Sequence, residues 1–185
     1  MRLFIVTGGI ATGKSFVLNY MKKLGCSILQ SDIVAKEIMY ESWFKEKMNA
    51  IGIDMKNLKS AIEKNSKILD YIEELVHFKV QIRRRKWILN NALPIAIEIP
   101  LLFEKNLLYE LQEFNPVVIS TICSKRLQMR RIQKRKQSNE LMKLILARQT
   151  SNEERVARSQ CIIYTCLSKY VVKKQINKIF KAYNE

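Results

Sequence analysis

The chain has 185 residues, 48% of them hydrophobic, with only five glycines and three prolines, which excludes disordered, collagen-like and linker-rich chains and allows one well-filled core with a small extra lobe. Thirty-three Lys and Arg against seventeen Asp and Glu give a net charge of +16, which favours polyanionic ligands without separating a nucleotide from a nucleic acid. The four cysteines, Cys26, Cys123, Cys161 and Cys166, form no C-x-x-C pair and signal neither a zinc site nor a disulfide framework; no apolar run is long enough to span a membrane, and the first thirty residues do not read as a signal peptide.

Leu3-Phe4-Ile5-Val6-Thr7 reads as a short buried strand, and Gly8-Gly9-Ile10-Ala11-Thr12-Gly13-Lys14-Ser15 follows it directly in the pattern G-x-x-x-x-G-K-[ST]. Glycines let the backbone curl with φ > 0, so that successive N–H groups aim at an anion seated on the N-terminus of the next helix. Lys14 is expected to reach the β and γ phosphates of a nucleotide and the Ser15 hydroxyl to hold Mg²⁺. The plain alternative, a glycine turn with no ligand, is disfavoured by the position of the loop between a strand pattern and a helix pattern. Val17, Leu18, Met21 and Leu24 continue at helical spacing, and Gly25 closes that helix.

Cys26 to Gln30 reads as a second strand, which demands parallel pairing through a right-handed crossover. Ser31-Asp32 comes next, at the strand end where ligands of open α/β sheets collect. Asp32 is either a ligand-facing carboxylate or the cap of a helix beginning at Ile33. From Ile33 to Asn91 the apolar positions, among them Ile51, Leu58, Ile62, Ile72 and Val76, suit several short helices and no strand. That excursion exceeds what a crossover needs and is a candidate lobe for a second substrate. The sole histidine, His77, reads as structural before catalytic. Arg83, Arg84 and Arg85 read as a solvated helix face, with anion binding second.

Pro94 to Ile99 is a third strand, stopped by Pro100, which puts Glu98 near the sheet's C-terminal edge, where it could hold a metal-bound water or orient a substrate group. A fourth strand, Pro116 to Ile122, leads into a dense basic helix from Ser124 to Lys136. Its charges suit a nucleic-acid backbone or a lid closing on a triphosphate, and some belong to a solvated face under either reading. Leu141, Leu144, Ile145, Arg148 and Gln149 continue in helix, Ser151-Asn152-Glu153-Glu154 reads as a capping box, Cys161 to Tyr164 as a fifth strand, and Ser168 to Tyr183 as a terminal helix.

With these pieces placed, the sequence resembles the dephospho-CoA kinase family, which phosphorylates the ribose 3′-hydroxyl of dephospho-coenzyme A in the last step of coenzyme A synthesis. The resemblance runs along most of the chain. It is carried by Thr7 to Ser15, Gln30-Ser31-Asp32, Leu75-Val76-His77, Glu98-Ile99-Pro100-Leu101-Leu102-Phe103-Glu104, and Gln128 with Arg131 and Arg135.

It implies an α/β P-loop NTPase fold: a five-stranded parallel sheet flanked by helices, with an inserted helical substrate lobe and a helical lid. Residues 1–32, 92–122 and 159–185 would form the nucleotide-binding core, 33–91 the CoA-binding lobe and 123–158 the basic lid. Gly9, Ala11, Thr12, Gly13, Lys14, Ser15 and Phe16 would contact ATP. Asp32 would be the general base, with Lys14, Arg131 and Arg135 spreading the charge of transfer, and His77, Glu98 and Leu101 would join Asp32 around the acceptor.

The sequence departs from the family at Ala11 (usually glycine), Phe16 (threonine), Gln30 (aspartate) and Phe78 (proline), and at Ser159 and Thr165, where acidic and asparagine positions flank the last strand. The expected partners are ATP, Mg²⁺ and dephospho-CoA, with no membrane and no specific nucleic acid, in a cytoplasmic and monomeric protein with reduced thiols. The alternatives are a P-loop kinase of another small acceptor, such as a nucleoside or nucleotide, and a nucleotide-gated RNA-binding protein without turnover.

Overall fold

A computed structural model describes residues 2–134, 142 and 145–184. Five short apolar runs form β1 (Leu3–Thr7), β2 (Ser27–Gln30), β3 (Ile95–Glu98), β4 (Val117–Ile122) and β5 (Cys161–Tyr164). They pair in parallel in the order β2-β3-β1-β4-β5. One row of register partners, Gln30, Glu98, Val6, Ile119 and Cys161, crosses the whole sheet, so the loops after β2, β3 and β1 leave from one edge.

Parallel strands are covered on both faces, which is why these runs are almost continuously apolar. On one face Phe4, Val6, Val117, Ile119 and Ile163 pack against Val17, Leu18 and Met21 of α1 (Lys14–Lys23) and Val172 and Ile176 of the terminal helix, α8 (Lys169–Asn184). On the other, Leu3, Ile5, Ile95, Ile97 and Val118 pack against Leu102, Phe103, Leu107 and Leu111 from the segment after β3. Gly25 ends α1 with φ 96°, its N–H on the Lys22 carbonyl at 3.1 Å.

The helical lobe comprises α2 (Ser31–Met39), α3 (Ser42–Ala50), a 3₁₀ turn at Met55–Asn57, α4 (Leu58–Lys64) and α5 (Lys67–Asn90). Val34, Ile38, Phe44, Met48, Leu58, Ile72, Val76 and Val80 give it a core of its own. In place of several short helices, its second half is one helix of 24 residues, uninterrupted by Gly or Pro. Ile72, Val76, Val80, Arg84 and Ile88 recur every fourth residue along its buried side, and Ile88 already belongs to the sheet's core.

Arg84 occupies an apolar slot of that row and is buried, which corrects the reading of a solvated face at that residue, while Arg83 and Arg85 are exposed as that reading expects. Its guanidinium lies 2.7 Å from Glu110; burial draws Arg84 below the ordinary arginine value and Glu110 opposes the shift. Arg83 pairs with Glu41 and Arg85 with Glu113.

The basic segment begins with α6 (Lys125–Gln133), capped by the Ser124 hydroxyl, which accepts from the Leu127 N–H at 3.4 Å. Arg135, Lys136, Leu141 and Leu144 lie outside the described residues. Residues 145–147 are helical, and Arg148 and Gln149 form the turn that ends that stretch. In α7 (Asn152–Ala157) Ser151 caps as expected, accepting from the Glu154 N–H at 3.1 Å, while the Glu154 carboxylate turns to Arg158 at 2.9 Å.

Candidate active site

The loop between β1 and α1 turns on Gly8 (φ 143°) and Gly13 (φ 101°). A Cβ on Gly8 would stand 2.6 Å from the Thr121 carbonyl oxygen, so only glycine fits there. Gly13 caps α1 without a side chain, and no acid stands in that helix's first turn, so neither the cap nor the first turn competes with an incoming anion for the leading N–H groups. Ala11 is left-handed too, at φ 58°, and its methyl is buried against Ile132 and Met142.

Side chains from distant segments hold the loop in shape. The Thr12 hydroxyl bonds to the Gly9 carbonyl and the Thr121 hydroxyl, both at 2.7 Å. Gln149 accepts from the Ile10 N–H at 2.9 Å and Gln128 donates to the Ile10 carbonyl at 2.9 Å. Arg131 donates to the Ala11 carbonyl at 3.2 Å and to the Thr165 hydroxyl and carbonyl at 3.1 and 2.8 Å, while the Thr165 hydroxyl donates to the Thr12 carbonyl. Lys14 rests its ammonium on the Gly8 and Gly9 carbonyls at 3.0 and 3.1 Å, and 3.8 Å from Glu98, the buried last residue of β3.

A cleft of about 980 Å³ opens over this edge of the sheet, walled by the P-loop, the helical lobe and the basic segment. Ala11, Gly13, Lys14, Ser15 and Phe16 line it, as do Asp32, Glu98, Leu101 and Arg131. The sheet gives the cleft direction. Asp32 lies at the β2 end beneath the helical lobe; Thr165, Leu167 and Lys169 lie at the β5 end. A triphosphate on the P-loop between them can face its terminal group toward Asp32 only if its nucleoside runs toward Thr165.

Asp32 is exposed and sits inside the first turn of α2, with Gln30 in the capping position, so it does not cap a helix starting at Ile33. The structure does not bring His77 to the cleft: it bonds to Gln81 at 2.6 Å and stands 3.7 Å from Glu110. Gly9 and Thr12 shape the loop without lining the cleft.

After β3, Pro100 and Leu101 line the cleft, while Leu102 and Phe103 turn into the sheet's core and Glu104 follows them. Glu104 accepts from the Thr150 N–H at 2.8 Å and pairs with Arg155, which is fully buried.

A model of the dephospho-CoA kinase family matches residues 3–166. The chain belongs to the dephospho-CoA kinase family. A dephospho-CoA kinase of Fusobacterium nucleatum is 30% identical over 174 residues, covering 85% of this chain and 86% of the relative. The solved dephospho-CoA kinase of Campylobacter jejuni is 26% identical and matches 98% of this chain and 96% of its own with a TM-score of 0.65. A Thermus thermophilus structure, 20% identical, shares the fold over 98% of this chain and 96% of its own with a TM-score of 0.79.

Family membership makes the chain a P-loop kinase and a phosphotransferase. In this dephospho-CoA kinase family member the loop is held by Gln149 and Thr165 as much as by its own residues, and the basic segment is anchored by Arg155. Sequence reasoning assigned Gln149 and Arg155 no part. Arg155 pairs with Glu104, 51 positions away, and Gln149 with Ile10, 139 positions away, and no local pattern announces such contacts.

Proposed function

We propose that Asp32 is the base of the reaction this family performs, the ATP-dependent phosphorylation of the dephospho-CoA ribose 3′-hydroxyl to give coenzyme A. The observation that carries the assignment is that Asp32 and the P-loop residues Lys14 and Ser15 face one cleft from the ends of β2 and β1, the two strands that flank β3. An alcohol is a weak nucleophile until it is oriented and its proton has an acceptor; an exposed carboxylate beyond β2 supplies both. The α1 N-terminus and Lys14 hold the β and γ phosphates, and Arg131, beside Ala11, offsets charge on the donor. The family pattern gives Arg135 the same task. Leu101 walls the acceptor side, and Glu98 steers Lys14.

The residues present fit Mg²⁺. The exposed Ser15 hydroxyl and the Glu98 carboxylate line the cleft, and the described residues form no cluster of three His, Cys, Asp or Glu, a donor set suited to an ion that keeps waters and phosphate oxygens as ligands. When bound, Mg²⁺ would neutralise charge on the β and γ phosphates. Among the described residues no helix is long and apolar enough to cross a membrane, which supports a cytoplasmic enzyme. We assign it a monomeric state as well, to be checked by sedimentation.

Purified protein with ATP, Mg²⁺ and equal dephospho-CoA and adenosine is expected to convert dephospho-CoA to coenzyme A in preference. A folded, ATP-binding preparation that yields no coenzyme A refutes the assignment.

A further inference from the structure

Two cations face the acceptor half of the cleft with no part in the chemistry above. Lys36 follows Asp32 by four residues on α2, and Asp32, Ala35 and Lys36 all line the cleft, so they share one helix face. Four residues advance an α-helix by ~6 Å. Lys36 is exposed to the same space one turn beyond the carboxylate.

Arg148 faces them from the basic segment. Its NH1 lies 2.9 Å from Asp70 Oδ1 and 3.6 Å from Glu73 Oε1, and its NH2 is 3.4 Å from the Ser66 carbonyl, all on or beside α5. Glu73 also lines the cleft, and its second oxygen is 3.0 Å from Lys105, so two cations share that carboxylate; the cleft lining as a whole carries six Lys and Arg against three Asp and Glu and is net positive. The next two residues fix the position of Arg148: Gln149 holds the P-loop at Ile10 and the Thr150 N–H is held by Glu104. Arg148 is therefore anchored to the P-loop and to the lobe at once.

We propose that Lys36 and Arg148 form a subsite for the diphosphate of a nucleoside diphosphate ester, the acceptor whose ribose is presented to Asp32. The inference rests on the reading of Asp32 given above. With the 3′-hydroxyl at Asp32, the 5′ side of the ribose points away from the P-loop, and the diphosphate begins at a distance comparable to one helical turn. Lys36 meets it there as a point charge. The Arg148 guanidinium, a planar fork already engaged by carboxylate oxygens, suits the two oxygens of a phosphate. Beyond the pair, Ile62 and Leu69 offer an apolar lining for the remaining tail.

The test is calorimetric titration of the full chain with dephospho-CoA and separately with ATP and Mg²⁺, alongside urea unfolding. Lys36→Met and Arg148→Met are each expected to weaken dephospho-CoA binding about tenfold or more, the effect of losing one charge-assisted contact, with ATP affinity and the urea midpoint held. Lys36→Arg and Arg148→Lys should restore most of the loss. Unchanged dephospho-CoA affinity in the Met variants overturns the proposal. So does a loss matched in ATP affinity or in the urea midpoint, which would mark Arg148 as a strut between segments. Wild-type protein that binds dephospho-CoA yet never phosphorylates it would defeat the kinase assignment and leave the subsite standing; full turnover with both Met variants unaffected would do the reverse.

Discussion

Removing one member of the Arg155–Glu104 pair should cost far more than removing both. Arg155 is 1% exposed at its side chain and Glu104 9%, and the pair ties α7 to the segment after β3. Arg155→Met leaves the Glu104 carboxylate buried with, among the described residues, the Thr150 N–H as its remaining partner, an uncompensated charge worth about 3–5 kcal/mol. Glu104→Leu strands the guanidinium at a similar cost and also deprives Thr150 N–H of its acceptor, a further ~1 kcal/mol. The double variant removes both charges and keeps only the Thr150 defect, about 1–2 kcal/mol. The two substitutions should therefore couple by more than about 3 kcal/mol. Urea unfolding of the four proteins gives the cycle, read from midpoints at constant m-value. A single-variant cost below ~1 kcal/mol, or a double variant as unstable as the sum of the singles, would refute the claim that an isolated charge at this site is what destabilises.

Asp32→Asn should lower kcat about a hundredfold or more while ATP affinity holds, because the carboxamide keeps the shape and loses the proton acceptor; steady-state kinetics and calorimetry decide it. Ala11→Gly should leave stability within ~0.5 kcal/mol of wild type, since relief of a left-handed alanine is offset by loss of a methyl packed on Ile132 and Met142. Ala11→Val, β-branched at the same φ, should unfold at lower urea and bind ATP poorly. Burial raises the Cys26 thiol from its ordinary value of 9.0 to about 11, so the folded state resists ionisation there. That group's contribution is complete below pH 9 and is lost as pH climbs toward 11, roughly 2–3 kcal/mol in all, and a Cys26→Ala variant should show a shallower fall in stability across that window. In the native state a thiol reagent should modify the exposed Cys166 first, well ahead of the buried Cys26 and Cys123.

The strands were legible because parallel strands buried on both faces leave an almost unbroken apolar run, as in Leu3 to Thr7 and Val117 to Ile122. The phosphate loop was legible because its glycines and lysine must sit at fixed spacing. Helix α5 was harder. Its buried row includes Arg84, whose partner Glu110 is 26 residues away, so the periodicity looked broken where the helix is continuous. Asp32 was placed at the right edge, but whether it capped a helix depended on where α2 begins, and propensity does not fix that boundary to one residue. His77 read as structural from the residues themselves, and only the family resemblance gave it a place around the acceptor. Its contacts with Gln81 and Glu110 depend on how α5 lies across the segment after β3, which no local spacing encodes.

The row of register partners has a mechanical meaning. Because β3 is inserted between β2 and β1, the carboxylate beyond β2 and the loop beyond β1 stand roughly two strand spacings apart, ~10 Å. If Asp32 is the base proposed above, the width of the gap that the phosphoryl group would cross is set by two hydrogen-bonded ladders. Its span should therefore stay constant until the sheet itself comes apart.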